Sequence, residues 1–478
     1  MPSMIDYERA SAMPAGADAR LEWLTRAKTP SVDRRILLKT ALVTAALAVP
    51  SSAVAQSPQV IPKRAVSSKQ TRARENAMST AGLSKARLSR MHDALQRHIE
   101  SGRMPGLVAL VSRRAETHVD AMGTLAFGSN APMRRDTIFR IASVSKPISA
   151  VAAMMLVEDG KLRLDDPVDA FLPELANRRV LRTLEGSLDD TVAAKRAITL
   201  RDLLTFRLGL GAVIVFPPKY PIQEAMDELG VAPSANLPSV PPDEYMKRIG
   251  SLPLIHQPGE RWLYDTGSQI LGVLIARASG KPLEAFLRER IFTPLGMKDT
   301  DFHVPEAKLQ RLPVCYRSDD ATGRTAVFDE ARGGRFASPP AFASASGGLV
   351  STVDDLLVFG RMMLNNGRQG NERILSRLSV ELMTNDHITP EQKTASPFFA
   401  DFWDNRGWGF GMSIVTRRQG LADVPGRFGW DGGYGTSLYM DPKEDLVGVL
   451  MTQRVWDSPS APAVLTDFWT QAYAAIDD

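Results

Sequence analysis

The chain is 478 residues long, 44% hydrophobic and 23% charged, ordinary proportions for a soluble protein with one large domain or two. Its formal net charge is +4, and seven Lys/Arg against five Asp/Glu in residues 1–55 carry half of it, so there is no basic footprint for nucleic acid. The single cysteine, Cys315, excludes an intramolecular disulfide and a cysteine-based zinc site, and is expected to be an inert, packed thiol.

The stretch DRRILLKTALVTAALAVPSSAVAQS runs from Asp33 to Ser57. Arg34 and Arg35 precede a moderately apolar run, and Ala53-Val54-Ala55 is a small-x-small cleavage pattern. With Leu37, Leu38 and Lys39 behind them, the paired arginines resemble a twin-arginine export signal. The resemblance implies a signal peptide over 1–55, the twin-arginine machinery as partner of the precursor, and a periplasmic or secreted mature chain. The run is interrupted by Lys39 and too short to span a membrane comfortably, so no stable insertion is expected after signal removal. A short amphipathic helix or a membrane anchor is the alternative. Residues 56–80, with Pro58, Pro62, Lys63, Arg64, Lys69, Arg72 and Arg74, read as a flexible linker to a domain over 81–478.

Within that domain Leu88, Met91, Leu95 and Ile99 have helical spacing, with Gly102 as the stop. GLVALVSRR and THVDAMGTLAFG read as two strands of a hairpin. SAVAAMMLVEDGKL, LRDLLTF, ILGVLIARASG and KPLEAFLRERIF read as helices, the first and third closed by Gly160 and Gly280. STVDDLLVFGRMMLNNG is a helix with Ser351 or Thr352 as N-cap and Gly367 as terminator. GWGFGMSIV, RFGWDGG, GTSLYMDP and LVGVLMTQ return to strands, with a hairpin turn at Asp441–Asp445. Strands thus open and close the domain and helices fill its middle. This predicts a mixed α/β (α+β) fold: a mainly antiparallel sheet built from both ends, flanked by helices, with a mainly helical subdomain inserted.

FRIASVSKPISA, from Phe139 to Ala150, places Ser143 three residues before Lys146. A serine hydroxyl needs a neighbouring base to act as a nucleophile. Positions i and i+3 share a helix face, so a helix starting near Ser143 brings the two together. Pro147 fits a first helical turn. A lysine serves as base only if burial or a cationic neighbour lowers its pKa. Taken alone, the pair favours an N-cap serine followed by a surface lysine.

The context decides. FRIASVSKPISAVAAMMLVEDGKLRLDDPV resembles the active-serine segment of the serine β-lactamase and penicillin-binding protein superfamily. LRDLLTFRLGL, PGERWLYDTGSQILG, SASGGLVSTVDDLLVFGRMML and FGWDGGYGTSLYMDP resemble four further segments of that superfamily, in the same order. The resemblance runs from about Leu83 to Gln453 and implies a β-lactamase/transpeptidase-like fold. It implies Ser143 as acylated nucleophile, Lys146 as its partner base and Tyr264 as the phenol that shuttles protons. It also implies an oxyanion hole from the backbone N–H groups of Ser143 and Gly433.

Two departures bear on substrate. Lactam-processing members carry Lys-Thr-Gly or a close variant on the third active-site strand, whereas this chain has Trp430-Asp431-Gly432. Trp430 and Gly432 are therefore expected to line the substrate site without a cation for a lactam carboxylate. In place of Tyr-x-Asn stands Tyr264-Asp265-Thr266. Both changes resemble the family VIII carboxylesterase branch. The expectation is an exported serine hydrolase of small-molecule esters or amides. The alternatives are a β-lactamase or D,D-peptidase, an acyltransferase, and a non-catalytic binding or assembly protein on the same fold. Ser234-Ala235-Asn236 matches a Ser-x-Asn motif but lies in a proline-rich stretch and reads as chance. The connector 211–242 reads equally as packing and as a wall of the acyl pocket. Six scattered histidines without His-x-x-x-His argue against a metal site, and no cofactor loop is present.

Overall fold

The computed structural model describes residues 82–478, apart from 115, 216, 320–321 and 459. The signal expected at 1–55 and the linker at 56–80 lie outside the described residues. Helix α1 spans Lys85–Glu100 and buries Leu88, Met91 and Leu95. Strands β1 (Gly106–Arg113) and β2 (Glu116–Gly123) form the expected hairpin, in register from Gly106 opposite Gly123 to Arg113 opposite Glu116. A two-residue strand β3 (Phe139–Arg140) and one 3₁₀ turn (Ala142–Val144) lead into helix α2, Ser145–Glu158.

The helical middle follows. It includes Leu200–Leu204, Pro221–Glu228, Pro242–Ser251 and helix α3, Thr266–Ser279, which ends on Gly280 in the left-handed region. Strand β4 (Val350–Ser351) pairs with β3, and helix α4 (Val353–Leu364) is capped by the Thr352 hydroxyl accepting from Asp355 N–H. Then come β5 (Arg406–Trp408), β6 (Ser413–Val415), β7 (Phe428–Gly432), β8 (Thr436–Asp441), β9 (Leu446–Thr452) and helix α5, Ala463–Ala474.

The main sheet has seven strands in the order β5-β6-β7-β8-β9-β1-β2. Every neighbouring pair is antiparallel. The chain ends therefore meet at β9–β1, as the strand–helix–strand order predicts. One sheet face packs on α2, α3 and α4 through Val108, Leu110, Leu438, Val447 and Val449. The other packs on α1 and α5 through Leu107, Ala109, Leu450, Phe468 and Trp469. Burial on both faces explains why β1 and β9 read as continuous apolar runs rather than alternating ones.

Two expected elements are corrected. GWGFGMSIV is not one strand but the hairpin β5–β6, because Gly411 turns the chain at φ +70°. A Cβ there would meet the Lys146 carbonyl at 2.9 Å, so the tip lies against α2. KPLEAFLRERIF is not one regular helix. Leu283–Leu287 passes into a π-helical turn at Arg288–Phe292 and a last turn at Thr293–Leu295.

The strand before Ser143 is anchored by a buried ion pair. Arg140 Nε lies 2.6 Å from Asp329 Oδ2, with both side chains almost fully enclosed, and Arg140 also donates to the Pro313 and Glu330 carbonyls. Replacing Arg140 with Met removes the close charge partner of the buried Asp329 carboxylate and leaves it the Arg335 N–H and a 3.5 Å approach of the Arg335 guanidinium. We expect Arg140→Met to lower unfolding free energy by about 3–5 kcal/mol in urea titration.

Candidate active site

The site forms where the start of α2, the start of α3, the 344–348 turn and the end of β7 converge. Ser143 sits in the 3₁₀ turn and is half-buried, whereas Lys146 on the first turn of α2 has a side chain 0% exposed. The i, i+3 spacing works as expected, and Lys146 Nζ donates to Ser143 Oγ at 2.8 Å. The neighbouring serines have structural partners. Ser145 Oγ accepts from Leu349 N–H and Ser149 Oγ donates to the Ala345 carbonyl, locking α2 to the 344–348 turn.

Lys146 has further partners that its sequence context did not suggest. Nζ donates to Ser346 Oγ at 2.8 Å and to the Ser346 carbonyl at 3.1 Å, and lies 2.8 Å from Asp265 Oδ1. Ser346 Oγ in turn donates to Asp265 Oδ1. Action as a base would require a lowered pKa. Burial pushes the Lys146 pKa down, but the Asp265 carboxylate and the Tyr264 phenol outweigh it, and the net shift is upward. The direction favours the protonated amine, and Nζ faces the serine oxygen.

Tyr264 is half-buried beside this group, its ring centroid 4.6 Å from Nζ. Its hydroxyl oxygen accepts a 2.7 Å hydrogen bond from Trp430 Nε1. Trp430, expected to line the substrate site without a cation, thus also supports the Tyr264 phenol. Trp430 is 6% exposed, its N–H is committed to Tyr264, and its ring lies in an aromatic cluster with Phe206, Trp262, Phe402 and Trp408. Strand alternation sends Asp431 to the opposite face, where Ser437 Oγ and Tyr439 Oη donate to it.

Gly432 packs closely against the scaffold. A Cβ at this position would meet the Ile141 carbonyl at 2.3 Å, so glycine lets β7 close on the turn that carries Ser143. Thr436 Oγ1 donates to the same carbonyl at 2.8 Å, and Ile141 N–H donates to Leu349. Gly433 follows the end of β7. Its carbonyl accepts from Trp456 N–H, and a Cβ there would meet open space.

The connector over 211–242 packs on the tyrosine segment and lines a cavity that reaches Asp265. Val213, Ile214 and Val215 are half-buried beside the tyrosine segment, where Ala212 N–H donates to the Tyr264 carbonyl. Further on, residues 230–239 line a cavity of about 270 Å³ together with Tyr245, Asp265 and Gln269. Tyr434 Oη donates to the Ala235 carbonyl and Arg335 to Asn236 Oδ1. The Ser234–Asn236 match read as chance therefore lies on this wall. Among the described residues no group of His, Cys, Asp or Glu is placed to hold a metal ion. Cys315 is buried away from the serine, its thiol pushed up to about 11 by that burial.

An antiparallel sheet closing on a serine-bearing helix start, with an inserted helical region, is the β-lactamase/transpeptidase-like fold. The sequence pattern of the beta-lactamase family matches residues 91–465, and the chain belongs to that family. It is 38% identical over 364 residues to Protein Rv1367c of Mycobacterium tuberculosis, covering 75% of this chain and 88% of the relative. It is 30% identical over 395 residues to Esterase EstB of Burkholderia gladioli, covering 79% and 93%. The solved structure of EstCE1, a hydrolase with promiscuous acyltransferase activity, superposes with a TM-score of 0.67 at 24% identity, covering 82% of this chain and 99% of that one. Esterases and an acyltransferase-competent hydrolase thus stand among its relatives and structural neighbours.

The bond from Trp430 to Tyr264 is testable. Trp430→Phe keeps an aromatic ring in the cluster and removes the N–H. We expect kcat of the hydrolase to fall by about tenfold with KM within about twofold, measured by steady-state kinetics.

Proposed function

We propose that the protein is a carboxylesterase that works through an acyl-enzyme on Ser143. The observation that carries this reading is the pairing of an intact Ser143–Lys146–Tyr264 group with Trp430 at the lactam-carboxylate position. Similarity to Esterase EstB over 79% of the chain supports it independently.

The bond from Lys146 Nζ to Ser143 Oγ places positive charge where alkoxide develops. The Tyr264 oxygen receives the Ser143 proton as Oγ attacks the ester carbonyl carbon. The carbonyl electron pair moves onto oxygen and meets the Ser143 and Gly433 N–H groups. As the tetrahedral species collapses, the bond to the leaving oxygen breaks and Tyr264 returns the proton to that alkoxide. Water repeats the sequence on the acyl-enzyme and frees the acid. An alcohol in place of water gives acyl transfer through the same intermediate. The likeness to EstCE1, whose description includes acyltransferase activity, keeps that second reading open.

A β-lactam presents a carboxylate, and a charge-assisted bond to it is about twice as strong as a neutral one. Trp430 supplies no charge, and its one donor is occupied. A neutral ester loses nothing by this. We expect kcat/KM for a short acyl p-nitrophenyl ester to exceed that for a chromogenic cephalosporin by at least about a hundredfold, or about 2.7 kcal/mol. Ser143→Ala should abolish the ester activity, and a serine-directed phosphonate should label Ser143 alone. Equal turnover of the two substrates would replace the esterase reading with a lactamase one.

We also propose that the chain is exported by the twin-arginine route. The motif at Arg34 and Arg35 supports this. No helix of the described residues is long and apolar enough to cross a membrane. Arg34→Lys combined with Arg35→Lys should retain the precursor in the cytoplasm on fractionation, and the exported form should begin near Gln56.

A further inference from the structure

Asp265 precedes α3 in a backbone conformation that side chains seldom take, with φ +81° and ψ −60°. Thr266 N–H donates to the Tyr264 carbonyl at 3.2 Å across it. Asp265 is thus the central residue of a γ-turn of the rare, strained kind. Glycine takes such a backbone without the steric conflict of a Cβ. An aspartate kept there calls for a reason, and an outlier beside a reactive group points toward function.

The reason lies at the end of the side chain. Oδ1 is 2.8 Å from Lys146 Nζ and accepts from Ser346 Oγ. Around Nζ stand Ser143 Oγ, Ser346 Oγ, the Ser346 carbonyl and Asp265 Oδ1, all acceptors at 2.8 to 3.1 Å. An ammonium has three protons and no lone pair, and matches this set. A neutral amine would turn its lone pair toward an acceptor. Tyr264 also faces Nζ, and Tyr245 faces Asp265 from the helix Pro242–Ser251.

We propose that Asp265 is a positioning residue: its carboxylate fixes Lys146 as an ammonium aimed at Ser143 Oγ, and the strained turn persists because it delivers that carboxylate. The inference rests on the reading of Ser143 as nucleophile. Without Asp265, burial dominates and Lys146 gives up its proton as pH rises. The ammonium is then present only at the acid end of the range.

The test compares Asp265→Asn, which keeps a side chain in the turn, with Asp265→Gly, which relieves the turn. Ester kinetics are measured between about pH 5 and 9, together with melting temperatures. At pH 8 both variants should lose at least about tenfold in kcat with KM within about twofold. The deficit should shrink as pH falls. Asp265→Gly should melt above Asp265→Asn, which provides a folded variant, yet show the same deficit. Three results overturn the proposal: wild-type kcat in either variant, a deficit that shrinks as pH rises, or activity regained with stability in Asp265→Gly. The first of these alongside an inactive Ser143→Ala would remove only the role of Asp265. An active Ser143→Ala would remove the nucleophile reading itself.

Discussion

A lysine side chain with no exposure is the constraint around which this site is organised. Removing an unpaired ammonium from water is expensive by several kcal/mol, and a lone buried lysine would shed its proton instead. Here the charge persists because Asp265, Ser346 and Ser143 surround it with acceptors. Those acceptors come from three separate parts of the chain. The start of α2, the start of α3 and the 344–348 turn are thereby tied to one point. The same bonds that make Lys146 tolerable also fix where Ser143 Oγ lies.

The rest of the scaffold brings these parts close enough. Ala142, beside the nucleophile, has φ +46°, a conformation that costs a side-chain-bearing residue about 1–2 kcal/mol. The γ-turn at Asp265 adds about 1–3 kcal/mol. Such turns survive only where the surroundings over-determine them. Bonds from Ile141 N–H to Leu349 and from Thr436 to the Ile141 carbonyl, the close approach of Gly432 and the buried Arg140–Asp329 pair do this around Ala142. A large core on both faces of the sheet supplies the rigidity behind them.

Much of this was legible in sequence because the signals are local. Ser143 and Lys146 are one helical turn apart, and Tyr264 lies two residues before the first residue of α3. The strands at both ends carry β patterning, and Gly280 and Thr352 mark helix boundaries. What escaped depends on contacts between distant positions. Asp265 and Ser346 are 81 residues apart and Ser346 and Lys146 are 200 apart, so no spacing rule joins them. The donor from Trp430 to Tyr264 spans 166 residues and turns an expected substrate contact into a support for the phenol. Other misses had a readable signal. Gly409 and Gly411 interrupt the β5–β6 segment, and Val464, Leu465, Phe468, Trp469 and Ala472 have the helical spacing of α5.

The exchange of a strand cation for Trp430 reaches beyond one contact. A lysine at this position would place a second ammonium near Lys146 and would have to be solvated or paired. An indole instead joins Phe206, Trp262, Phe402 and Trp408 in one aromatic cluster, with Tyr264 and Phe398 against it. That cluster holds Tyr264 by packing on its ring and by one N–H on its oxygen. Support for the phenol is thus moved from charge to packing, and Lys146 remains the cation beside it. Asp265 also lines a neighbouring cavity with Gln269, Ser234 and Asn236. A site built this way has a charge-stabilised serine but no second cation in its described lining to attract an acid group. On the esterase reading, such a site takes neutral acyl compounds, whose binding does not depend on a carboxylate anchor.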